Sequence, residues 1–177
     1  MPGLQAWRRR VSSILVLGIA SSLAAQSPHE AIIPPGAGDS IYVGQAKHPT
    51  VIMVDAATTG SRELFVFELT LAPGESLPLH RHHRDDELIF IHTGEARTQV
   101  GELSRRAGAG TTLYIPAGTP VGMVNRSVVP VKALVVFAAP HMADYIRSLG
   151  TTPGQPRRNL SPAELEKIRS RHYVTFP

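Results

Sequence analysis

LHRHHRDDELIFIHTG, residues 79–94, sets three histidines within four positions and follows them with two aspartates and a glutamate before an apolar run. On an extended chain His80 and His82, two apart, point to the same side, while His83 points away. Glu87 opens the run 88–91, which predicts a strand buried on both faces. Two imidazoles on one face and a carboxylate at the start of a neighbouring strand can converge on one ion. Imidazole and carboxylate ligands suit Fe, Mn, Ni, Cu or Zn, and two histidines plus one carboxylate are the ligand set of many non-haem iron oxygenases. The ligand set does not determine which divalent metal His80, His82 and Glu87 would hold; iron is placed first among these ions.

Outward from this stretch, residues 41–139 form a series of short β-type runs broken by turn residues such as Pro73-Gly74, Thr93-Gly94 and Pro116-Ala117-Gly118. Strands are predicted near 41–43, 50–54, 62–71, 77–81, 87–92, 95–100, 111–115, 120–125 and 130–138. Many short strands at nearly even spacing indicate an all-β sandwich or barrel.

The spacing around the histidines resembles the first motif of the cupin superfamily: Gly74, five residues, His80, one residue, His82, four residues, Glu87, six residues, Gly94. Gly110, five residues, Pro116, one residue, Gly118 and then Asn125 resemble the second motif. The likeness covers roughly 40–140 and implies a cupin jelly-roll β-barrel of the conserved-barrel type, with short C-terminal helices after it. The layout as a whole is similar to single-domain bacterial cupins related to quercetin dioxygenases.

One position departs from the pattern. The second motif of the family supplies a fourth ligand, a histidine three residues after its glycine, and Val121 stands there. Three readings remain open. His80, His82 and Glu87 bind a metal as a three-ligand set with open positions; Met123, of the same strand parity as Val121, fills the gap with a soft thioether; or the barrel is a metal-free apolar cavity. In the last, Val121 and Met123 line the cavity with Ile89 and Ile91; in the first, an apolar wall containing Val121 and Met123 shapes the substrate pocket. His92, opposite in parity to Glu87, is expected to face outward. Asp85 or Asp86 can fix the tautomer of a ligand histidine, and Arg97 and Tyr114 are read as cross-strand packing.

The ends read differently. Residues 1–24 carry a basic cluster, Arg8-Arg9-Arg10, an apolar run at 11–23 too short to span a bilayer, and small residues before a cleavage point after Ala24: a cleaved export signal, with no stable membrane anchor, for a periplasmic or secreted protein. Of 18 basic residues this leader takes three and no acids, so the remainder is close to neutral against 14 acidic ones, and the high isoelectric point argues for no nucleic-acid partner. There is no cysteine, which excludes disulfides, thiolate ligands and a cysteine nucleophile. Residues 25–40, rich in proline and glycine, read as an extended arm able to pair two copies into a homodimer.

Beyond the barrel, the tail 141–177 holds two predicted helices. The first, 141–149, has Gly150 where a C-terminal cap belongs. The second, 162–171, has Ser161 as N-cap, Pro162 at the first helical position, Glu164 closing a capping box and Leu160/Leu165 as a hydrophobic staple. It is expected to pack outside the barrel without a chemical role. His29, His48, His141 and His172 carry no assignment. The functional expectation is an exported cupin acting on a small organic molecule in dioxygenase-like chemistry. A non-catalytic ligand-binding barrel and a metal-dependent isomerase or lyase are its alternatives.

Overall fold

The computed structural model describes residues 27–177; the expected leader lies outside the described residues. Residues 27–38 form neither helix nor strand, and the barrel begins with β1 (Asp39–Val43), β2 (Thr50–Val54), β3 (Phe65–Leu71), β4 (Ser76–His82) and β5 (Glu87–Thr93). It continues through β6 (Glu95–Val100), β7 (Leu103–Gly108), β8 (Thr112–Ile115), β9 (Pro120–Val124) and β10 (Val131–Phe137). After it come α1 (Met142–Leu149), β11 (Gly150–Thr151), α2 (Pro162–Arg171) and β12 (Val174–Thr175).

The strands make two antiparallel sheets, ordered β11-β1-β2-β3-β10-β5-β8 and β12-β4-β9-β6-β7, as a jelly roll requires. Between them lies the core. Phe65, Phe67 and Phe137 pack their rings at centroid distances of 5.1 to 6.5 Å, with Ile52, Ile89 and Ile91 fully buried around them.

β5 corrects one expectation. Its burial alternates: Glu87, Ile89 and Ile91 point inward, while Leu88 and Phe90 are each 37% exposed on the outer face of the larger sheet. The antiparallel partners β10 and β8 leave that face to solvent, so a continuous apolar run here is a one-sided strand.

Three strands were not anticipated. β7 buries only Ala107, and its exposed Ser104, Arg105 and Arg106 carry no apolar alternation. It forms because Gly101-Glu102 turns it back on β6, pairing Val100 with Leu103. β11 and β12 are two residues each and are made by tertiary docking. Docking also changes the end of α1. Gly150 is extended (φ −121°), not left-handed, because it continues into β11 beside β1. A Cβ at Gly150 would collide with the Ile41 side chain and lie 2.8 Å from the Tyr42 carbonyl oxygen, so glycine is needed for close approach. Gly94 does serve a left-handed turn (φ +78°), with its missing Cβ 2.6 Å from the Pro130 oxygen.

Asn125, fully buried after β9, ties the two sheets together. Its Nδ2 donates to the Leu71 and Val129 carbonyls at 2.9 and 2.8 Å, and its Oδ1 accepts from the Ser127 amide at 2.9 Å. Asn125→Ala leaves these groups without partners and should cost about 2–4 kcal/mol. A urea titration should show a lower midpoint with an unchanged slope.

α2 has the cap the sequence specifies: Ser161 Oγ accepts from the Glu164 amide at 3.3 Å and Glu164 Oε2 accepts from the Ser161 amide at 2.8 Å. Among the described residues no helix is long and apolar enough to cross a membrane.

Candidate metal centre

β4 and the start of β5 bring His80, His82 and Glu87 together, all three buried, with one ligand atom from each lying within 4.8 Å of the others. The geometry follows from strand parity: His80 and His82 share the inward face of β4 and Glu87 the inward face of β5. His80 Nδ1 lies 2.8 Å from the Pro78 carbonyl oxygen. A carbonyl only accepts, so the proton sits on Nδ1 and the Nε2 lone pair faces the cluster. That Nε2 is 3.0 Å from His82 Nε2, which in turn is 3.9 Å from Glu87 Oε2.

Without an ion these groups are poorly satisfied. Glu87 Oε2 and His82 Nδ1 have no hydrogen-bond partner. Burial pushes the Glu87 carboxyl up to about 8 and, with His80 beside it, drives the His82 imidazole down to about 3. His80 is lowered too, by the same burial. A divalent cation would pair the Glu87 carboxylate and accept the Nε2 lone pairs of both imidazoles, leaving only His82 Nδ1 without a partner, so the donor set fits a metal.

The cluster forms part of the wall of a cavity of about 560 Å³. Its apolar lining comes from β3 and β10 through Phe67, Leu69, Val135 and Phe137, and from α1 through Met142 and Ile146. Phe137 stands edge-on to His82 at 4.9 Å, and Phe176, just after β12, stacks on His80 at 5.5 Å.

Several expectations need correcting. Ile89, Ile91, Val121 and Met123 do not line this cavity; they are buried in the closed core between the sheets. They face inward as parity requires, but the open space lies toward β3, β10 and the helices. Val121 pairs directly with His80 across β4 and β9, so its side chain adjoins the ligand set without opening to the cavity. Neither acidic neighbour steadies a ligand histidine. Asp85 faces His141 at 3.3 Å, and Asp86 accepts from the Tyr114 hydroxyl at 2.7 Å and the Ala117 amide at 2.8 Å, which holds its carboxyl below the usual range. His92 does face outward, 3.2 Å from Glu68. Arg97 and Tyr114 lie on exposed strand faces.

α2 is also more than an outer brace, since Leu165 and Arg169 line the cavity, as do Tyr145, His48 and Phe176. No local pattern marks these residues. Phe176 reaches the cavity because β12 adds to the edge of β4, pairing Val174 with His82 and Thr175 with Arg81; Leu165 and Arg169 arrive on α2, Tyr145 on α1 and His48 between β1 and β2.

Residues 67–137 match the family model described as a cupin domain. Over 79 residues, 45% of this chain, the sequence is 25% identical to mannose-1-phosphate guanylyltransferase 2 of Escherichia coli O157:H7, a match that spans only 16% of that enzyme. A protein of Thermotoga maritima described as a predicted oxalate decarboxylase superposes with a TM-score of 0.50 and 16% identity, covering 56% of this chain and 91% of that one. A sugar phosphate isomerase from a cupin superfamily, of Silicibacter pomeroyi DSS-3, has a TM-score of 0.46 and 26% identity over 50% of this chain and 57% of that one. The two-sheet jelly roll, both glycine-framed motifs and the matching family model make residues 67–137 a cupin domain.

Proposed function

We propose that the protein is an exported, metal-dependent cupin that binds one divalent ion on His80, His82 and Glu87 and acts on a small organic molecule in dioxygenase-like chemistry. The observation that carries this reading is the buried, partnerless carboxyl of Glu87 facing two imidazoles on the wall of an apolar cavity. Iron heads the ions this ligand set accepts, before manganese, nickel, copper and zinc. Bound there, the ion would supply Lewis acidity and open coordination positions for substrate or dioxygen. The chain's own contributions are separate. Pro78 fixes the tautomer of His80, Phe137 and Phe176 keep water from the two rings, and the apolar wall holds the organic body.

The leader-like residues 1–24 support export, and the arm at 25–40 supports pairing of two copies; a monomeric mass at micromolar concentration would count against the second. Val121 favours one alternative, a metal-free barrel that holds a small ligand without chemistry. Elemental analysis of protein purified without chelator separates the two. Near-stoichiometric metal that falls below about a tenth in His80→Ala supports the metal centre, since each ligand carries a large share of the affinity. No metal in the parent protein, or equal metal in His80→Ala, removes it. Oxygen uptake with the loaded protein then tests the oxygenase class.

A further inference from the structure

Arg169 is the feature of the cavity that the metal centre does not use. Its guanidinium carbon lies 4.0 Å over the Phe176 ring, whose other contact is His80. The Tyr145 hydroxyl is close enough to feel both its charge and its hydrogen bonding. No carboxylate among the described residues pairs with Arg169, and its Nε is buried without a hydrogen-bond partner. Outside the metal centre, Arg158 and Glu75 on the wall are already engaged. Arg158 donates to the Ser148 carbonyl at 2.8 Å, and Glu75 accepts from the Lys47 and Ala72 amides at 2.8 Å each.

Arg169 is half-buried, and its buried Nε–H, left without a partner beside an apolar wall, is the part a bound anion would satisfy. The guanidinium lies over Phe176 and turns one N–H toward the Tyr145 hydroxyl, and its remaining donors have no carboxylate among the described residues. A planar fork with parallel donors matches a carboxylate. The remaining wall, with Leu69, Leu77, Val135 and Leu165, takes hydrocarbon.

We propose that the cavity selects organic monoanions with an apolar body, and that Arg169 is the residue that binds their carboxylate, one aromatic ring away from His80. This deepens the function proposed above by naming its substrate class, but the anion site does not itself require the metal. A ligand anchored on Arg169 would have its apolar body running along the wall, with its far groups beside the histidine cluster.

The test uses trans-cinnamate and its neutral amide, cinnamamide, titrated calorimetrically into the full chain, both as purified and after chelation. The acid should bind at least about tenfold more tightly than the amide, as a charge-assisted pair implies. In Arg169→Gln the two probes should become equal, and Arg169→Lys should keep part of the preference by retaining charge without the fork. His80→Ala should keep the preference in full. Equal affinity for the two probes in the parent protein, binding of neither, or a preference that survives Arg169→Gln overturns the assignment. A preference lost in His80→Ala but kept in Arg169→Gln also overturns it, by placing the carboxylate on the metal. If the chain carries no metal and the Arg169 dependence remains, the metal reading fails and this one stands. Should Arg169→Gln not fold, the acid and amide comparison in the parent and in Arg169→Lys still decides.

Discussion

Metal-free protein carrying Glu87→Gln is expected to outlast its parent at alkaline pH, by about 5 kcal/mol at pH 9 if the full shift is expressed. The buried Glu87 carboxyl is raised from 4.5 to about 8. Between those values the folded chain keeps a proton that the unfolded chain has released, so stability falls as pH rises through the window and the loss is complete above it. His82 acts in the opposite sense. Its imidazole is lowered from 6.5 to about 3, so stability is lost as pH falls through that range, and His80 adds to this loss. These three groups together place the optimum of the chelated protein near pH 6.5, with a decline on either side. Denaturant titrations at several pH values should show the alkaline decline in the parent and its absence in Glu87→Gln. Identical curves would mean that Glu87 ionises freely. The same raised carboxyl means that metal uptake near pH 7 should release about one proton, readable from the buffer dependence of the binding heat.

Restoring a fourth ligand should have the next largest effect. Val121 adjoins His80 across the β4–β9 pair and is wholly buried. Structural sites with four ligands are worth roughly 10–16 kcal/mol, so one more imidazole supplies about 3 kcal/mol, about a hundredfold in affinity. Val121→His should therefore bind metal about a hundred times more tightly than the parent. Crowding the core with the larger ring should at the same time weaken the chelated fold by about 1–3 kcal/mol. A variant less stable without metal and more strongly stabilised by it is the signature to find. Unchanged affinity would show that the β9 backbone does not aim this position at the ion.

The histidine face, the glycine frame and the barrel were legible in the sequence because each rests on local rules. Period-two parity places His80 with His82, and left-handed turns demand glycine at Gly94. The capping box of α2 is equally local. Parity also correctly turned Ile89, Ile91, Val121 and Met123 inward. It could not say which part of the interior is solid and which is open, since that depends on where the helices settle. For the same reason Leu88 and Phe90 read as buried, though apolar residues on the outer face of an antiparallel sheet are common. Arg169 and Phe176 lay beyond reach altogether. Phe176 follows a two-residue strand with no propensity signal of its own, and Arg169 depends on where α2 docks.

That short strand has a dynamic consequence. β12 holds on to β4 through two paired residues, with the His83 amide donating to the Tyr173 carbonyl at 2.9 Å and a hydrogen bond between His83 and Thr175, partners 92 positions apart. The β3–β10–β5 ladders, by contrast, run seven residues on one side of β10 and six on the other. The Phe176 ring that stacks on His80 is thus tethered by a far shorter pairing than the strands behind Glu87. None of its contacts is a rung of the ladders that hold Glu87, so the seating of Phe176 and the integrity of the barrel rest on separate sets of bonds.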